Sequence, residues 1–311
     1  MLDLREPGEG ESVVVGPSRD GRPGLAYRVW AEPKAPPRAT LAVLTGVMSN
    51  TAWFRPLAGR WRAMGYRVVG VERDGSGLNV PQGSGPQGSG PQGSGPQGRG
   101  PQGSGQVRGD TVSAQRLIDD ARTVALHGRA PDRPLVVVGW CWGAILGVHL
   151  TLALGPEVAG LCMLTPGLYP SAPLAARMKA LSVAAQGQPP GEPVLDSPIT
   201  DEMFTAGPAL DGFIRRDQAR WRRFSPRFLE VSSRLTMVAR MRLRKLALPL
   251  WVALADDDVT VDNERTLAEL ARLPPAQVRT TRLPGAHGLQ FDAPQALAER
   301  LDAWARDALG V

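Results

Sequence analysis

Five residues carry the clearest chemical signal in the chain: Gly139-Trp140-Cys141-Trp142-Gly143. They follow the apolar run Leu135–Val138 and precede the apolar helical pattern Ala144–Val148. A strand, a sharp turn and a helix, with a nucleophile flanked two positions away by glycines, is the layout of a nucleophile elbow. The glycines permit a strained turn with close strand–helix approach, which a Cβ at those positions would obstruct. Such an elbow requires an acid and then a histidine later in the chain. Asp256-Asp257-Asp258 follows the apolar run Leu250–Leu254, and His287 lies in Pro284-Gly285-Ala286-His287-Gly288. The other two histidines, His127 and His149, precede the acid and fall on helical patterns, so they read as structural or surface residues.

A thiol, an imidazole and a carboxylate in that order perform acyl transfer. The sulfur attacks an acyl carbon, the imidazole takes or holds its proton, and the carboxylate orients the ring. Free thiols are mostly protonated at neutral pH, and a nearby imidazolium and a helix N-terminus both favour the thiolate. The plainer alternative for Cys141 is an inert buried thiol. Trp140 and Trp142 flank the nucleophile and serve either as pocket walls or as packing beneath the elbow.

The elements that must position these groups alternate. Val13–Val15 and Ala26–Trp30 read as two strands around the turn residues Ser18-Arg19-Asp20-Gly21, after a Gly/Pro/Glu-rich start that makes 1–24 a loose N-terminal segment. Leu41–Leu44 and Tyr66–Val71 read as strands, with helical spacing from Trp53 to Met64 between them. Asp110 to His127 is an amphipathic helix with Thr111 or Asp110 as its cap. Strand patterns recur at Val158–Leu164, Leu248–Ala255 and Val278–Leu283, and helical ones at Asn263–Leu273 and Ala293–Leu309. Strand–helix alternation predicts an α/β fold with a mostly parallel sheet and helices on both faces.

Two segments break the pattern. Residues 81–105 are tandem Pro-Gln-Gly-Ser-Gly repeats with one variant at Arg99. Nothing in the tract gains from burial, so it is predicted to be a disordered loop insertion. Residues 168–246 hold helical pieces, prolines and many arginines, and predict a helical insertion. Its positive charge fits a solvated face, or else a patch that steers anionic groups.

These marks together resemble the α/β-hydrolase superfamily, and within it the monoglyceride lipase and lysophospholipase-like branch. They are the elbow, the turn Asp74-Gly75-Ser76-Gly77, the segment Asp258-Val259-Thr260-Val261-Asp262-Asn263, and Gly285-Ala286-His287-Gly288-Leu289. The resemblance implies a core of 25–167 and 247–311, with 168–246 as a lid. It implies a Cys141–His287–Asp258 triad, with Asp256 the second choice of acid and Asp262 or Asn263 capping the next helix. The backbone N–H of Trp142 and that of Val47 or Met48 would receive the oxyanion, and Trp140 and Met48 would line the pocket. Two departures stand out: cysteine replaces the usual serine, as in dienelactone hydrolases and polyhydroxyalkanoate synthases, and Thr45-Gly46 replaces the usual His-Gly. The implied activity is hydrolysis of small or lipid-like acyl esters or thioesters. The alternatives are an acyltransferase using the same triad and a non-catalytic binding protein.

Composition sets the remaining bounds. The 311 residues are 42% hydrophobic and 21% charged with net charge +6, which suits a globular protein with a sizeable core. The positive balance accompanies no nucleic-acid-binding motif, so no nucleic-acid partner is expected. Two cysteines make no disulfide framework and suggest a reducing compartment, the cytoplasm. No stable membrane insertion, metal or organic cofactor is expected, and the oligomeric state is not encoded legibly.

Overall fold

The structure is a computed structural model that describes residues 7–31, 35–80 and 107–311. The predicted disordered repeats at 81–105 lie outside the described residues. In chain order the first elements are β1 (Glu11–Val15), β2 (Ala26–Trp30), β3 (Thr40–Leu44), α1 (Arg55–Ala63) and β4 (Arg67–Val71). Next come α2 (Ala114–Gly128), β5 (Leu135–Trp140), α3 (Trp142–Leu154) and β6 (Val158–Leu164). The stretch between β6 and the next core strand holds α4 (Ala172–Ala184), β7 (Leu195–Asp196), α5 (Pro208–Arg216), β8 (Arg223–Phe224) and α6 (Pro226–Arg242). The chain closes with β9 (Leu250–Ala255), α7 (Asn263–Leu270), β10 (Val278–Leu283), α8 (Leu289–Asp292) and α9 (Pro294–Leu309).

Eight strands form one sheet in the order β1-β2-β4-β3-β5-β6-β9-β10. The pairs β1–β2 and β2–β4 are antiparallel, and every other pair in it is parallel. The central strands β3, β5 and β9 are buried along their whole length, as continuous apolar runs covered on both faces should be. Helices α1 and α9 pack together, as do α2 and α3, giving the two helical layers. Register then places the site. Leu44 pairs with Gly139, Trp140 with Leu164, Leu164 with Ala253, and Ala255 with Leu283. The carboxyl ends of five strands therefore finish level, and the turns after them converge on one edge.

The N-terminal segment is not loose throughout. β1 adds to the sheet edge, and Glu11, its side chain 3% exposed, pairs with Arg28 at 3.0 Å and Arg55 at 2.7 Å. A buried carboxylate between two guanidiniums anchors a segment whose composition alone reads as tail. The α2 cap also differs from expectation. Ser113 accepts from the Arg116 N–H at 3.1 Å, while Asp110 is drawn away to Ser225 and Arg227 of the insertion. Asp262 caps α7 as expected, accepting from the Arg265 N–H at 2.9 Å.

The insertion at 168–246 is mostly helical, with the short antiparallel β7–β8 ribbon as an addition the sequence pattern did not suggest. It lies on the carboxyl edge of the sheet through backbone bonds that include Trp221 N–H to Met48 at 3.0 Å, Ser225 N–H to Gly109 at 3.0 Å, Gly288 N–H to Phe204 at 2.7 Å, Ser171 N–H to Thr260 at 2.9 Å and Asp262 N–H to Tyr169 at 2.8 Å. Much of its positive charge is paired, within the insertion or, for Arg227, with the core. Arg220 pairs with Asp201, Arg227 with Asp110, Arg215 with Glu202 and Asp211, and Arg223 with Asp196. No helix among the described residues is long and apolar enough to cross a membrane.

Candidate active site

β5 delivers Cys141 to the sheet edge with φ +55° and ψ −118°, a backbone conformation that side chains other than glycine rarely adopt. The turn exists because its neighbours have no Cβ. One at Gly139 would lie 2.5 Å from the Ala144 Cα, and one at Gly143 would lie 2.2 Å from the Leu44 carbonyl oxygen. The strained residue is tied down on both sides: the Cys141 N–H donates to Leu164 at 3.0 Å, and its carbonyl accepts from Gly167 at 2.9 Å and Ala144 at 3.1 Å. Helix α3 begins at Trp142, so its amino terminus faces the thiol.

The turn after β9 presents Asp258 and the turn after β10 presents His287. Both side chains are fully buried, and the Asp258 Oδ2 lies 2.8 Å from the His287 Nδ1. The other carboxylate oxygen accepts from the backbone N–H of Thr260 at 2.8 Å and Val261 at 3.2 Å, which fixes the carboxylate plane. Asp256 is exposed, so the structure brings Asp258 and not Asp256 to the histidine. Burial on its own would favour the neutral ring, but the Asp258 carboxylate and then Cys141 outweigh it and raise the imidazole from its ordinary 6.5 to about 10. Both groups thus favour the charged form of the ring, and its Nε2 has no hydrogen bond of normal geometry among the described residues.

His287 is supported from beneath and covered from above. Its carbonyl accepts from the Trp140 indole N–H at 3.0 Å and from the Thr165 hydroxyl at 2.9 Å. The Phe204 ring of the insertion lies 6.2 Å from the imidazole and 5.9 Å from the Trp140 ring, centroid to centroid. Trp140 is fully buried. It packs beneath the elbow in this closed arrangement, and the expected pocket-wall role would require the cover to move. Trp142 is nearly buried, and its indole N–H donates to Ser232 of α6 at 2.8 Å. Met48 is 2% exposed and accepts from the Ser197 hydroxyl at 3.0 Å through its sulfur. The other two histidines are structural: His127 bonds the Tyr27 hydroxyl and His149 bonds the Leu235 carbonyl.

The two backbone N–H groups expected to face an oxyanion, those of Trp142 and Val47, have no hydrogen-bond partner among the described residues. The loop that carries Val47 is held by a residue the sequence did not single out. Arg73, only 5% exposed, donates to the carbonyls of Gly46 at 3.0 Å, Val47 at 2.7 Å and Ser49 at 3.3 Å. Its guanidinium also lies over the rings of Trp142 and Trp221. Burial lowers its pKa to about 10, with Glu72 and Cys141 opposing that shift. The available signal was the charged pair Glu72-Arg73 directly after the apolar strand β4, where a charge must find a buried partner. Phe204 and Trp221 carry no comparable signal, because they lie in an insertion without periodicity.

Known proteins share the family and the fold. A family model described as serine aminopeptidase, S33 matches residues 35–293. A soluble variant of monoglyceride lipase from Saccharomyces cerevisiae, solved with a substrate analogue, superposes with TM-score 0.74 at 13% identity, covering 99% of each chain. The carboxyl esterase from Bacillus coagulans gives TM-score 0.69 at 12% identity over 96% of this chain and 99% of the other. The Paleococcus ferrophilus monoacylglycerol lipase gives 0.67 at 14% identity over 87% and 96%. No curated protein matches the sequence. Among the described residues, no group of three or more His, Cys, Asp or Glu could hold a metal ion.

Proposed function

The chain belongs to the serine aminopeptidase S33 family of α/β hydrolases, and from that premise we propose that it hydrolyses esters or thioesters of small or lipid-like acyl groups through Cys141, His287 and Asp258. The observation that carries this reading is the 2.8 Å contact of Asp258 with the His287 Nδ1, fully buried beside a cysteine at the elbow. Cys141 sulfur attacks the acyl carbon and its proton resides on His287. The carbonyl π electrons move to oxygen, where the N–H groups of Trp142 and Val47 (or Met48) hold the negative charge. Collapse expels the alcohol or thiol, which takes the proton from the imidazolium. Water, deprotonated by His287, then attacks the acyl-enzyme; the acid leaves and the thiol is restored.

The residues above the site support an apolar acyl group. Trp53, Phe204, Phe213 and Phe291 form an aromatic cluster against Trp140. The names of the similar structures, monoacylglycerol lipases and a carboxyl esterase, support the same bond class. We read 168–246 as a lid that opens to admit substrate, because Phe204 covers the imidazole. Two free cysteines fit a reducing, cytoplasmic setting.

The test is a panel of acyl esters and thioesters of varied chain length, with wild type and Cys141→Ala. Turnover lost in the variant, together with iodoacetamide labelling of Cys141 that slows on His287→Ala, supports the triad. Turnover that survives Cys141→Ala overturns it. Product ester formed when an alcohol is added identifies an acyltransferase instead.

A further inference from the structure

Arg73 makes contacts that a simple core cation does not need. Its guanidinium bonds three carbonyls of one short loop, those of Gly46, Val47 and Ser49. It sits 5.3 Å from the Trp142 ring centroid and 4.8 Å from that of Trp221. In a trans peptide the C=O and the following N–H point in opposite directions, and the described chain has no cis bonds. Holding the Gly46 carbonyl therefore sets the direction of the Val47 N–H, and holding the Val47 carbonyl sets that of Met48. The neighbouring Glu72 fixes the far end of the same loop by accepting from the Thr51 N–H at 3.1 Å. Within the loop, the Thr45 hydroxyl reaches the Ser49 carbonyl only at 3.4 Å, so Arg73 is the stronger anchor.

We propose that Arg73 is the positioning residue of the oxyanion hole: one guanidinium, bonded to the 46–49 loop and lying against Trp142, holds both sets of backbone donors at a fixed separation. The inference rests on the acyl-transfer reading of Cys141 and deepens it. Trp221 belongs to the insertion, and its indole N–H donates to the Gly75 carbonyl at 2.8 Å while its backbone N–H donates to Met48. The insertion therefore closes onto the same guanidinium that orders the loop.

The experiment compares wild type, Arg73→Lys and Arg73→Met with three readouts. The first is kcat and KM on the best substrate of the ester panel. The second is the inhibition constant of an acyl-matched trifluoromethyl ketone. Cys141 sulfur adds to that ketone carbon, the carbonyl electrons move to oxygen, the thiol proton goes to His287, and the resulting oxyanion needs the hole. The third is the alkylation rate with iodoacetamide, a displacement at carbon that expels iodide and forms no oxyanion. Arg73→Lys keeps the charge but cannot span three carbonyls from a planar fork. For it we expect kcat to fall about 10²-fold with KM within about threefold, as for loss of one oxyanion donor. The trifluoromethyl ketone should weaken in parallel, and alkylation should stay within about threefold of wild type. Arg73→Met tests the same point without the charge, and if it does not fold, Arg73→Lys still decides. Unchanged kcat and ketone affinity in Arg73→Lys overturn the proposal. So does alkylation that drops by the same factor as kcat, since that is general damage to the elbow. Cys141→Ala that keeps wild-type turnover and ketone affinity would instead sink the parent reading.

Discussion

Replacing Asp258 with asparagine exchanges one buried oxygen for an NH2 group and changes almost nothing in shape. The amide oxygen can still accept from the Thr260 and Val261 N–H groups, which Oδ1 now satisfies at 2.8 and 3.2 Å. The NH2 is then left facing the His287 Nδ1, where a carboxylate oxygen stood at 2.8 Å. Two donors cannot share that contact, so the ring adopts the other tautomer, with its hydrogen on Nε2, and loses its capacity as a base. The equivalent change in a Ser-His-Asp enzyme lowers kcat about 10⁴-fold, and a fall of about 10³–10⁴, roughly 4–5.5 kcal/mol of transition-state stabilisation, is expected here. The charge change has a second readout. With the carboxylate gone and burial unchanged, the imidazole drops from about 10 toward or below its ordinary 6.5. A raised folded-state pKa stabilises fully below the unfolded value and loses that contribution as pH rises through the folded one. The wild type should therefore lose melting temperature relative to Asp258→Asn between pH 6.5 and 10. Steady-state assays and thermal melts across that range check both parts. Asp256→Asn, at an exposed position, should change neither. Asp258→Asn retaining more than about a tenth of kcat, or Asp256→Asn matching its loss, would refute the assignment of the acid.

Gly143→Ala places a Cβ 2.2 Å from the Leu44 carbonyl oxygen, a clash with backbone that no rotamer relieves. A loss of about 3 kcal/mol or more is expected, or failure to fold, and an unchanged urea midpoint would contradict the close packing of the elbow. Glu11→Gln should destabilise the protein by about 2 kcal/mol near neutral pH, because it removes the buried negative charge that Arg28 shares with Glu72 and that faces Arg55. Burial alone would raise the Glu11 carboxyl, but Arg55, the Gly8 N–H and Arg28 hold it below its ordinary 4.5. Its contribution is present above that value and lost as pH falls through the folded one, so variant and wild-type urea midpoints should converge in acid. Phe204→Ala should cost about 3 kcal/mol of stability while speeding iodoacetamide alkylation of Cys141; alkylation no faster than wild type would contradict the covering role of Phe204.

Chemistry that depends on order along the chain was legible in the sequence. Elbow, acid and histidine each follow a strong apolar strand, and turns after parallel strands must gather at one sheet edge. That is why Cys141, Asp258 and His287 could be expected at one edge without coordinates; their catalytic roles are the proposal made above. Choosing Asp258 over Asp256 is a matter of which carboxylate turns inward two residues later, which the resemblance suggested and the backbone bonds to Thr260 and Val261 explain. Glu11 was illegible for the opposite reason. A glutamate in a Gly/Pro-rich start reads as solvated, and only the folded sheet brings Arg28 and Arg55 around it. Arg73 sits between these cases. Its position after β4 was visible, but its three carbonyl partners lie about 25 residues upstream on a loop without regular structure.

On the proposed lid reading, the contacts of the insertion bear on how the site would open. Many separated stretches of it reach the core, among them Phe204 to Gly288 and His287, Trp221 to Met48 and Gly75, and Ser232 to Trp142. Lifting the whole insertion breaks these and many other hydrogen bonds, among them those of Asn50 and Trp53 to Asp217, of His149 to the Leu235 carbonyl and of Arg108 to the Arg220 carbonyl, each worth about 1 kcal/mol net. The sum lies well above the few kcal/mol at which a fully open form would be appreciably populated. Moving only the stretch around Phe204 breaks the Phe204–Gly288 and Thr205–Asp292 bonds and leaves Trp221 on Arg73 and Ser232 on Trp142. The proposed oxyanion donors then stay ordered while the imidazole is uncovered. Local opening at Phe204 is therefore the lower-energy route to a competent site, and it keeps intact the part of the structure that the chemistry needs rigid.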